Sequence, residues 1–254
     1  MSSHAGTAQW QYVLPNKRKV SPKEPFSAYF RKVSEMASDM RALQSETCGY
    51  QPRLYQEDCR LEGAVPAEWA DLIITSPPYI NNYDYADATR LEMTMMGEIE
   101  GWKDLQGAVR THLVRSCTQH VSAYASDVYQ ILKNPLLRPI LDELEPTVMA
   151  LDAEREMHGG KKNYHAMIVH YFLDLAQVWM QMRRISRSGS SVCFVIGDSA
   201  PYGIHVPVEQ WLGRLALAAG FKSFEFSKFR DRNIKWKNRK HQIPLHEGHL
   251  WIHG

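Results

Sequence analysis

The residues whose types and spacing best suit a chemical reaction are Ser76, Pro77, Pro78 and Tyr79, which follow the compact apolar run 70–75. The Ser76 hydroxyl and the Pro77 carbonyl are two hydrogen-bond acceptors, and Pro78 restricts the backbone before it. The exocyclic amine of a nucleobase is a poor nucleophile because its lone pair is delocalised into the ring, and two acceptors aimed at its hydrogens would hold it pyramidal. Tyr79 offers an aromatic face on which an extruded base could stack. The pattern indicates chemistry on such an amine, driven by orientation and local electrostatics and requiring no metal.

Residues 73–79, Ile-Ile-Thr-Ser-Pro-Pro-Tyr, resemble the catalytic motif of the SPPY-type DNA methyltransferases that modify the exocyclic amino group of cytosine. Pro-Pro after a strand can also be a simple rigid turn, but a strand followed by Ser-Pro-Pro-Tyr is specific. The resemblance implies methyl transfer from S-adenosylmethionine to cytosine N4 in DNA, as in restriction-modification systems, with residues 76–79 as the catalytic residues. Relatives that act on adenine usually carry Asp or Asn in place of Ser76, which favours cytosine; an adenine or RNA amine remains the alternative target.

The same resemblance implies further contacts with cofactor and target. Residues 55–60 stand where the family has a strand ending in an acidic residue that accepts a hydrogen bond from the adenine of S-adenosylmethionine. The implied cofactor-binding residues are Asp58, Cys59 and Thr75. A lone Asp at a strand end could equally cap a helix or a turn. The implied residues of the target-base pocket or DNA surface are Asn81, Tyr83, Asp84, Tyr85, Arg239 and His241. The last two could equally be ordinary residues of a solvent-facing loop.

The family's Gly-x-Gly cofactor loop has no counterpart among these 254 residues. In the family, the sheet order is 3-2-1-4-5, with the cofactor loop after the first strand and the catalytic motif after the fourth. If residues 53–56 are the third strand and 72–75 the fourth, the two strands between them are missing, which would leave backbone groups unpaired. We therefore expect a second polypeptide to supply the cofactor loop. The alternative is a non-catalytic truncated remnant or a nucleic-acid-binding subunit.

Hydrophobic periodicity predicts an α/β fold, an incomplete Rossmann-like S-adenosylmethionine-dependent methyltransferase sheet with a helical insertion. Residues 1–21 are expected to form an extended N-terminal arm, and 22–254 the catalytic-motif domain. The insertion covers about 100–160 and is the expected place for target recognition. Strands are predicted at 53–56, 70–75, 191–196, 222–229 and 250–252, in a mostly parallel sheet. Helices are predicted at 25–44, 105–114, 140–157, 164–185 and 208–219.

The composition sets only broad limits on function. With 30 Lys and Arg against 28 Asp and Glu, the net charge is +2, so any surface for DNA must be local. The densest basic run, 230–241, mixes cations with Phe229 and Trp236, which suits phosphate contact and stacking but also a solvated basic loop. The four cysteines form no C-x-x-C pair, which argues against a zinc site or a disulfide framework. No apolar run is long enough to span a membrane, so we expect a cytoplasmic protein.

Overall fold

The computed structural model describes residues 24–44, 49, 51–121, 127–159, 162–232 and 243–254. These residues belong to two compact units. The first comprises Met1–Gln56 and Tyr85–Gly101, and the second comprises Glu57–Asp84 and Trp102–Gly254. The predicted arm, residues 1–21, lies outside the described residues.

The first unit is helical, and its main element is α1, Pro25–Gln44, with the bounds that the apolar spacing predicts. The carboxylate of Glu24 accepts hydrogen bonds from the backbone N–H groups of Phe26 (3.0 Å) and Ser27 (2.6 Å), which caps the start of the helix. The apolar row of α1 is exposed to solvent: Phe26, Phe30, Val33, Met36, Met40 and Leu43. Two short helices follow in this unit, α2 (Tyr85–Ala88) and α3 (Arg90–Met95).

The second unit is built on a four-stranded sheet. Its strands are β1 (Ala70–Thr75), β2 (Ser186–Gly197), β3 (Ser223–Arg232) and β4 (Leu245–His253). The strand order is β1-β2-β4-β3, so β1 lies at one edge. The strands β1 and β2 run parallel, with Thr75 opposite Phe194. The strand β4 runs antiparallel to both β2 and β3.

The expectation of a mostly parallel sheet is wrong for the described strands, because only one of their three pairings is parallel. A parallel return needs a crossover that usually contains a helix. The long helix α7 (Tyr164–Ile185) precedes β2, whereas only residues 233–244 separate β3 from β4. The strand β4 lies between β2 and β3 and runs antiparallel to both.

Two predicted elements are also corrected. Residues 53–56 form no strand, and Leu54 is 97% exposed, because no neighbouring strand offers backbone partners there within the described chain. The predicted helix over 105–114 is broken into α4 (Leu105–Ala108) and a 3-10 turn, Arg110–His112. Gly107 has a low helix propensity, which weakens a continuous helix here.

The remainder of the insertion region consists of short pieces followed by one long helix. The short pieces are Trp102–Asp104, Thr118–His120, α5 (Val128–Ile131) and the 3-10 segment Pro135–Ile140. The long helix is α6, Leu141–Met157. A further 3-10 turn, Pro201–Gly203, precedes α8, Val208–Ala218.

The core of the second unit lies where α7 and α8 pack against the sheet. Trp179 of α7 stacks on Phe194 of β2 with ring centroids 4.3 Å apart. Phe172 meets Trp211 of α8 edge to face at 5.0 Å. Such aromatic pairs bury large apolar areas, so they fix the sheet on which the loop after β1 is mounted. In the part of the chain that the structure describes, no helix is long and apolar enough to cross a membrane.

Candidate active site at the carboxyl edge of the sheet

Four strand ends meet at one edge of the sheet. The parallel strands β1 and β2 end there, β3 also ends there, and β4 begins there. The loop Ser76–Tyr79 leaves β1 at this edge, which is where ligands bind in open α/β sheets. The topology thus brings the predicted catalytic motif beside residues more than 100 positions later in the chain.

Two hydrogen bonds hold the loop. The Ser76 hydroxyl donates to the carbonyl oxygen of Val195 in β2 (3.3 Å). The hydroxyl of Tyr171, buried in α7, donates to the carbonyl oxygen of Pro78 (3.0 Å). Thr75 precedes the loop and is half-buried in the β1–β2 ladder. The loop is therefore tied to both the sheet and the main helix before any ligand arrives.

Tyr79 is held by a network that reaches β3 and β4. Its hydroxyl donates to Oε1 of Glu247 (2.8 Å), a buried residue of β4. The other carboxylate oxygen, Oε2, accepts two hydrogen bonds from Arg230 of β3, from Nε at 2.8 Å and Nη2 at 2.6 Å. Partial burial and the adjacent Glu247 carboxylate raise the pKa of Tyr79 to about 12. Tyr79 is therefore a neutral, oriented phenol at physiological pH.

Arg232, the last residue of β3, covers one face of Tyr79. Its guanidinium carbon lies 5.3 Å from the centroid of the tyrosine ring, a cation–π arrangement. Its Nη1 donates to the backbone carbonyl of Asp198 (2.7 Å). The aromatic face expected to receive a base is thus occupied by a planar cation on this side.

Asp198 follows β2 and is buried beneath the same edge. Its carboxylate accepts a hydrogen bond from the backbone N–H of His246 (2.8 Å), and the imidazoles of His205 and His246 lie 3.1 and 3.2 Å from it. The hydrogen bond with Asp198 raises the pKa of His205. The backbone N–H of His246 and two imidazoles therefore converge on the buried Asp198 carboxylate under the site.

A small cavity opens beside the loop. Its volume is about 190 Å³. It is lined by Ile80, Asn81, Tyr164, Met167, Asp198, Ser199, Ala200, Pro201, Arg232 and Leu245. The cavity is smaller than the roughly 300–1,000 Å³ typical of drug-sized ligands. It therefore has the scale of a single small group.

The residues expected in the target-base pocket divide into different environments. Asn81 lines the cavity, and its side-chain oxygen accepts a hydrogen bond from the backbone N–H of Tyr83 (3.2 Å). Asp84 is buried in an ion pair with Arg110 (2.6 Å), so its carboxylate supports the scaffold. Tyr85 begins α2 in the first unit. Arg239 and His241 lie outside the described residues.

The expected cofactor residues are placed as follows. Both oxygens of the Asp58 carboxylate bind the Arg60 guanidinium, at 2.9 Å to Nε and 2.7 Å to Nη2, and this lowers the pKa of Asp58. Arg60 also pairs with the fully buried Asp174 (3.4 Å). Cys59 is exposed. One of the Asp58 carboxylate oxygens also accepts a hydrogen bond from the backbone N–H of Arg60 (3.0 Å), so the Asp58 carboxylate holds a local turn.

The sequence did not predict the residues that surround the motif and hold it in place. Glu247 and Tyr171 were not singled out, and Arg230 and Arg232 entered only as part of a basic run. Their contact with the motif spans up to 168 positions, and periodicity within a strand carries no information about such pairings. Glu247 lies three residues before the closing strand predicted at 250–252, and the structure extends that strand to include it. Among the described residues, no cluster of His, Cys, Asp and Glu could hold a metal ion.

Comparison with known proteins shows sequence similarity to type II methyltransferases. No protein-family model matches the chain. The chain is 32% identical over 164 residues to the type II methyltransferase M.AvaI of Nostoc sp. (strain PCC 7120), which covers 61% of this chain and 31% of that protein. It is 25% identical over 173 residues to the type II methyltransferase M.BsoBI of Geobacillus stearothermophilus, covering 64% of this chain and 33% of that protein. The chain thus spans about one third of the length of these relatives.

A solved structure was also matched, that of a candidate DNA modification methylase from Thermus thermophilus. The match has 13% identity and a TM-score of 0.31, and it covers 78% of this chain and 51% of that one. The sequence matches, by contrast, confirm a resemblance to type II methyltransferases. This similarity extends over some three fifths of the chain.

Proposed function

We propose that this chain carries the target-amine half of a DNA methyltransferase that methylates the exocyclic N4 amine of cytosine, with S-adenosylmethionine as the methyl donor. Ser76, Pro77, Pro78 and Tyr79 are the proposed catalytic residues. The observation that carries the proposal is the way in which the loop Ser76–Tyr79 is held at the carboxyl edge of the sheet.

The hydrogen bonds of this loop suit an acceptor for an amine. Because the Ser76 hydroxyl hydrogen is directed at the Val195 carbonyl, the lone pairs of its oxygen remain to accept a hydrogen from the target. The bond from Tyr171 to the Pro78 carbonyl fixes the next peptide, so the Pro77 carbonyl has a defined direction. An acceptor pair that is already oriented needs no reorganisation when the amine arrives, which is the condition for electrostatic catalysis.

The surroundings of the loop suit an extruded base. The cavity beside Ile80 and Asn81 has room for one small group, and Tyr79 supplies a ring held by Glu247. Arg230 and Arg232 place positive charge at the same edge, where a phosphate backbone would approach. We propose Asn81 and Tyr83 as pocket residues, and Arg239 and His241 as contacts to DNA.

The residues present do not fit the methyl donor by themselves. Asp58 is proposed to contact the donor, but both of its carboxylate oxygens already accept hydrogen bonds from Arg60. Thr75 and Cys59 are proposed to lie beside the donor. This chain's proposed part in the reaction is to hold and orient the amine.

We further propose that a second polypeptide supplies the Gly-x-Gly loop and the strand beside β1. In the described sheet β1 pairs only with β2, and its Leu72 and Ile74 are 54% and 66% exposed. An open edge with exposed apolar side chains favours pairing with another strand. Calorimetry of the purified chain should show weak or no binding of S-adenosylmethionine. Tight binding with one donor per chain would refute the need for a second polypeptide.

The target is tested by identifying the modified nucleoside. Affinity-purified protein, taken from its natural cells with whatever it binds, is incubated with labelled S-adenosylmethionine and either DNA or RNA. Digestion followed by mass spectrometry should then show labelled N4-methyldeoxycytidine from DNA. Label in N6-methyladenine or in RNA would replace cytosine by the alternative targets. The absence of label in every substrate would favour a non-catalytic subunit.

A further inference from the structure

We propose that, in the base-free protein, Arg232 occupies the place where the target base would stack on Tyr79. We call this place the seat of the base, and Arg232 must leave it when the base enters. This inference rests on the proposed function, since it assumes that Tyr79 stacks on an extruded base. It adds the position of the seat and the residue that controls access to it. The observations are the contacts of one guanidinium with three elements at the edge of the sheet.

The guanidinium resembles a base in shape and in hydrogen bonding. It is planar, it lies over the ring of Tyr79 at 5.3 Å, and it donates to the Asp198 carbonyl at 2.7 Å. An amino group of a base presents the same donor chemistry to the same acceptor. Arg232 also lines the cavity together with Asn81 and Asp198, so the guanidinium that covers Tyr79 belongs to a residue of the cavity wall.

The backbone around Arg232 leaves room for this placement. A side-chain carbon at Gly197 would lie 2.7 Å from Nη1 and 3.2 Å from Cδ of Arg232, and 2.9 Å from the carbonyl oxygen of His246. Only glycine therefore allows the arginine to cross the end of β2 in this way. Three groups therefore border the seat: the Gly197 backbone, the Asp198 carbonyl, which accepts a hydrogen bond, and the aromatic ring of Tyr79.

A base and Arg232 cannot share this face. Carbon atoms in contact are separated by roughly 3.5–4.0 Å, so a base sandwiched between ring and guanidinium would need about 7 Å between them. The observed separation is 5.3 Å. Entry of a base therefore requires the arginine to swing out, and outside the seat its charge is available to a DNA phosphate.

The test measures binding of an uncharged probe, deoxycytidine, to the full chain by NMR titration. An uncharged nucleoside separates opening of the seat from loss of attraction to phosphate. We expect Arg232→Ala to bind deoxycytidine at least about fivefold more tightly than the native protein, the scale of one cation–π contact removed. Arg232→Lys, which keeps the charge but not the planar group, should fall between the two. Adding Tyr79→Ala to Arg232→Ala should abolish the gain.

The matched control is Lys228→Ala, which removes an exposed cation of the same strand that pairs with Asp231. It should bind deoxycytidine as the native protein does. Equal or weaker binding by Arg232→Ala than by the native protein, or no binding by either, would overturn the proposal. Failure of the proposed function is read separately, from the nucleoside formed in the methylation assay, so the two results are distinguishable.

Discussion

The buried ion pair between Asp84 and Arg110 gives the sharpest prediction about the scaffold. Both side chains are buried, their atoms meet at 2.6 Å, and His120 Nε2 lies 3.5 Å from the same carboxylate. Asp84→Ala would leave Arg110 as a buried cation without its ion-pair partner. Loss of one member of such a pair lowers the free energy of unfolding by about 3–5 kcal/mol. At about 2–4 °C per kcal/mol for a chain of this size, the thermal midpoint should fall by roughly 6–20 °C.

The assay is thermal unfolding followed by circular dichroism, with a double-mutant cycle as its control. Arg110→Met combined with Asp84→Ala leaves no unpaired charge, so the double variant should be more stable than Asp84→Ala alone. An Asp84→Ala protein as stable as the native one would refute the argument. So would a double variant whose loss equals the sum of the two single losses.

Three further predictions concern the site. Ser76→Ala should reduce methylation by at least about 100-fold with the fold intact, since one oriented group of this kind contributes on that scale; circular dichroism and initial rates check this, and an unchanged rate would remove Ser76 from the mechanism. Tyr79→Phe keeps the ring and should retain far more activity than Tyr79→Ala, whereas equal losses would show that the bond to Glu247 matters more than stacking. Asp198→Asn should lower the pKa of His205 towards 6.5, measured by NMR titration. Because the pKa of His205 is raised in the folded protein, its stabilising interaction with Asp198 is fully present below about pH 6.5 and is lost as the pH rises through the folded value; a His205 pKa that ignores Asp198→Asn would contradict this.

The spacing of apolar residues along the chain correctly predicted the helices and strands that have a clear periodic or continuous apolar pattern. The helix α1 and the strand β1 have the predicted bounds, since each is a periodic or continuous apolar run bounded by clear breakers. The strand expected at 53–56 is absent because a strand exists only with a partner, and its own four residues do not provide one. The antiparallel direction of β4 could not be predicted for the same reason, because the residue pattern of a strand does not specify the strand with which it pairs.

The sequence predicted the loop of the candidate site, but it did not predict the residues that hold this loop in place. The type and spacing of residues 76–79 predicted the loop, and the structure places that loop at the carboxyl edge of the sheet. The residues that orient it, Glu247, Arg230 and Tyr171, come from distant strands and a helix, so only tertiary structure brings them together. Proximity in sequence does not by itself define a contact: Asp84, near the motif in sequence, forms a buried ion pair with Arg110.

The central claim is that Ser76 and its loop orient a cytosine amine for methylation. The most direct measurement replaces the native gene in its own cells by one encoding Ser76→Ala and quantifies modified nucleosides in the genomic DNA by mass spectrometry. This keeps any second polypeptide at its natural level. The account predicts N4-methyldeoxycytidine in the native cells and its loss in the variant, with Lys228→Ala as the unaffected control. An N4-methyldeoxycytidine content that is the same in native and Ser76→Ala cells would contradict it.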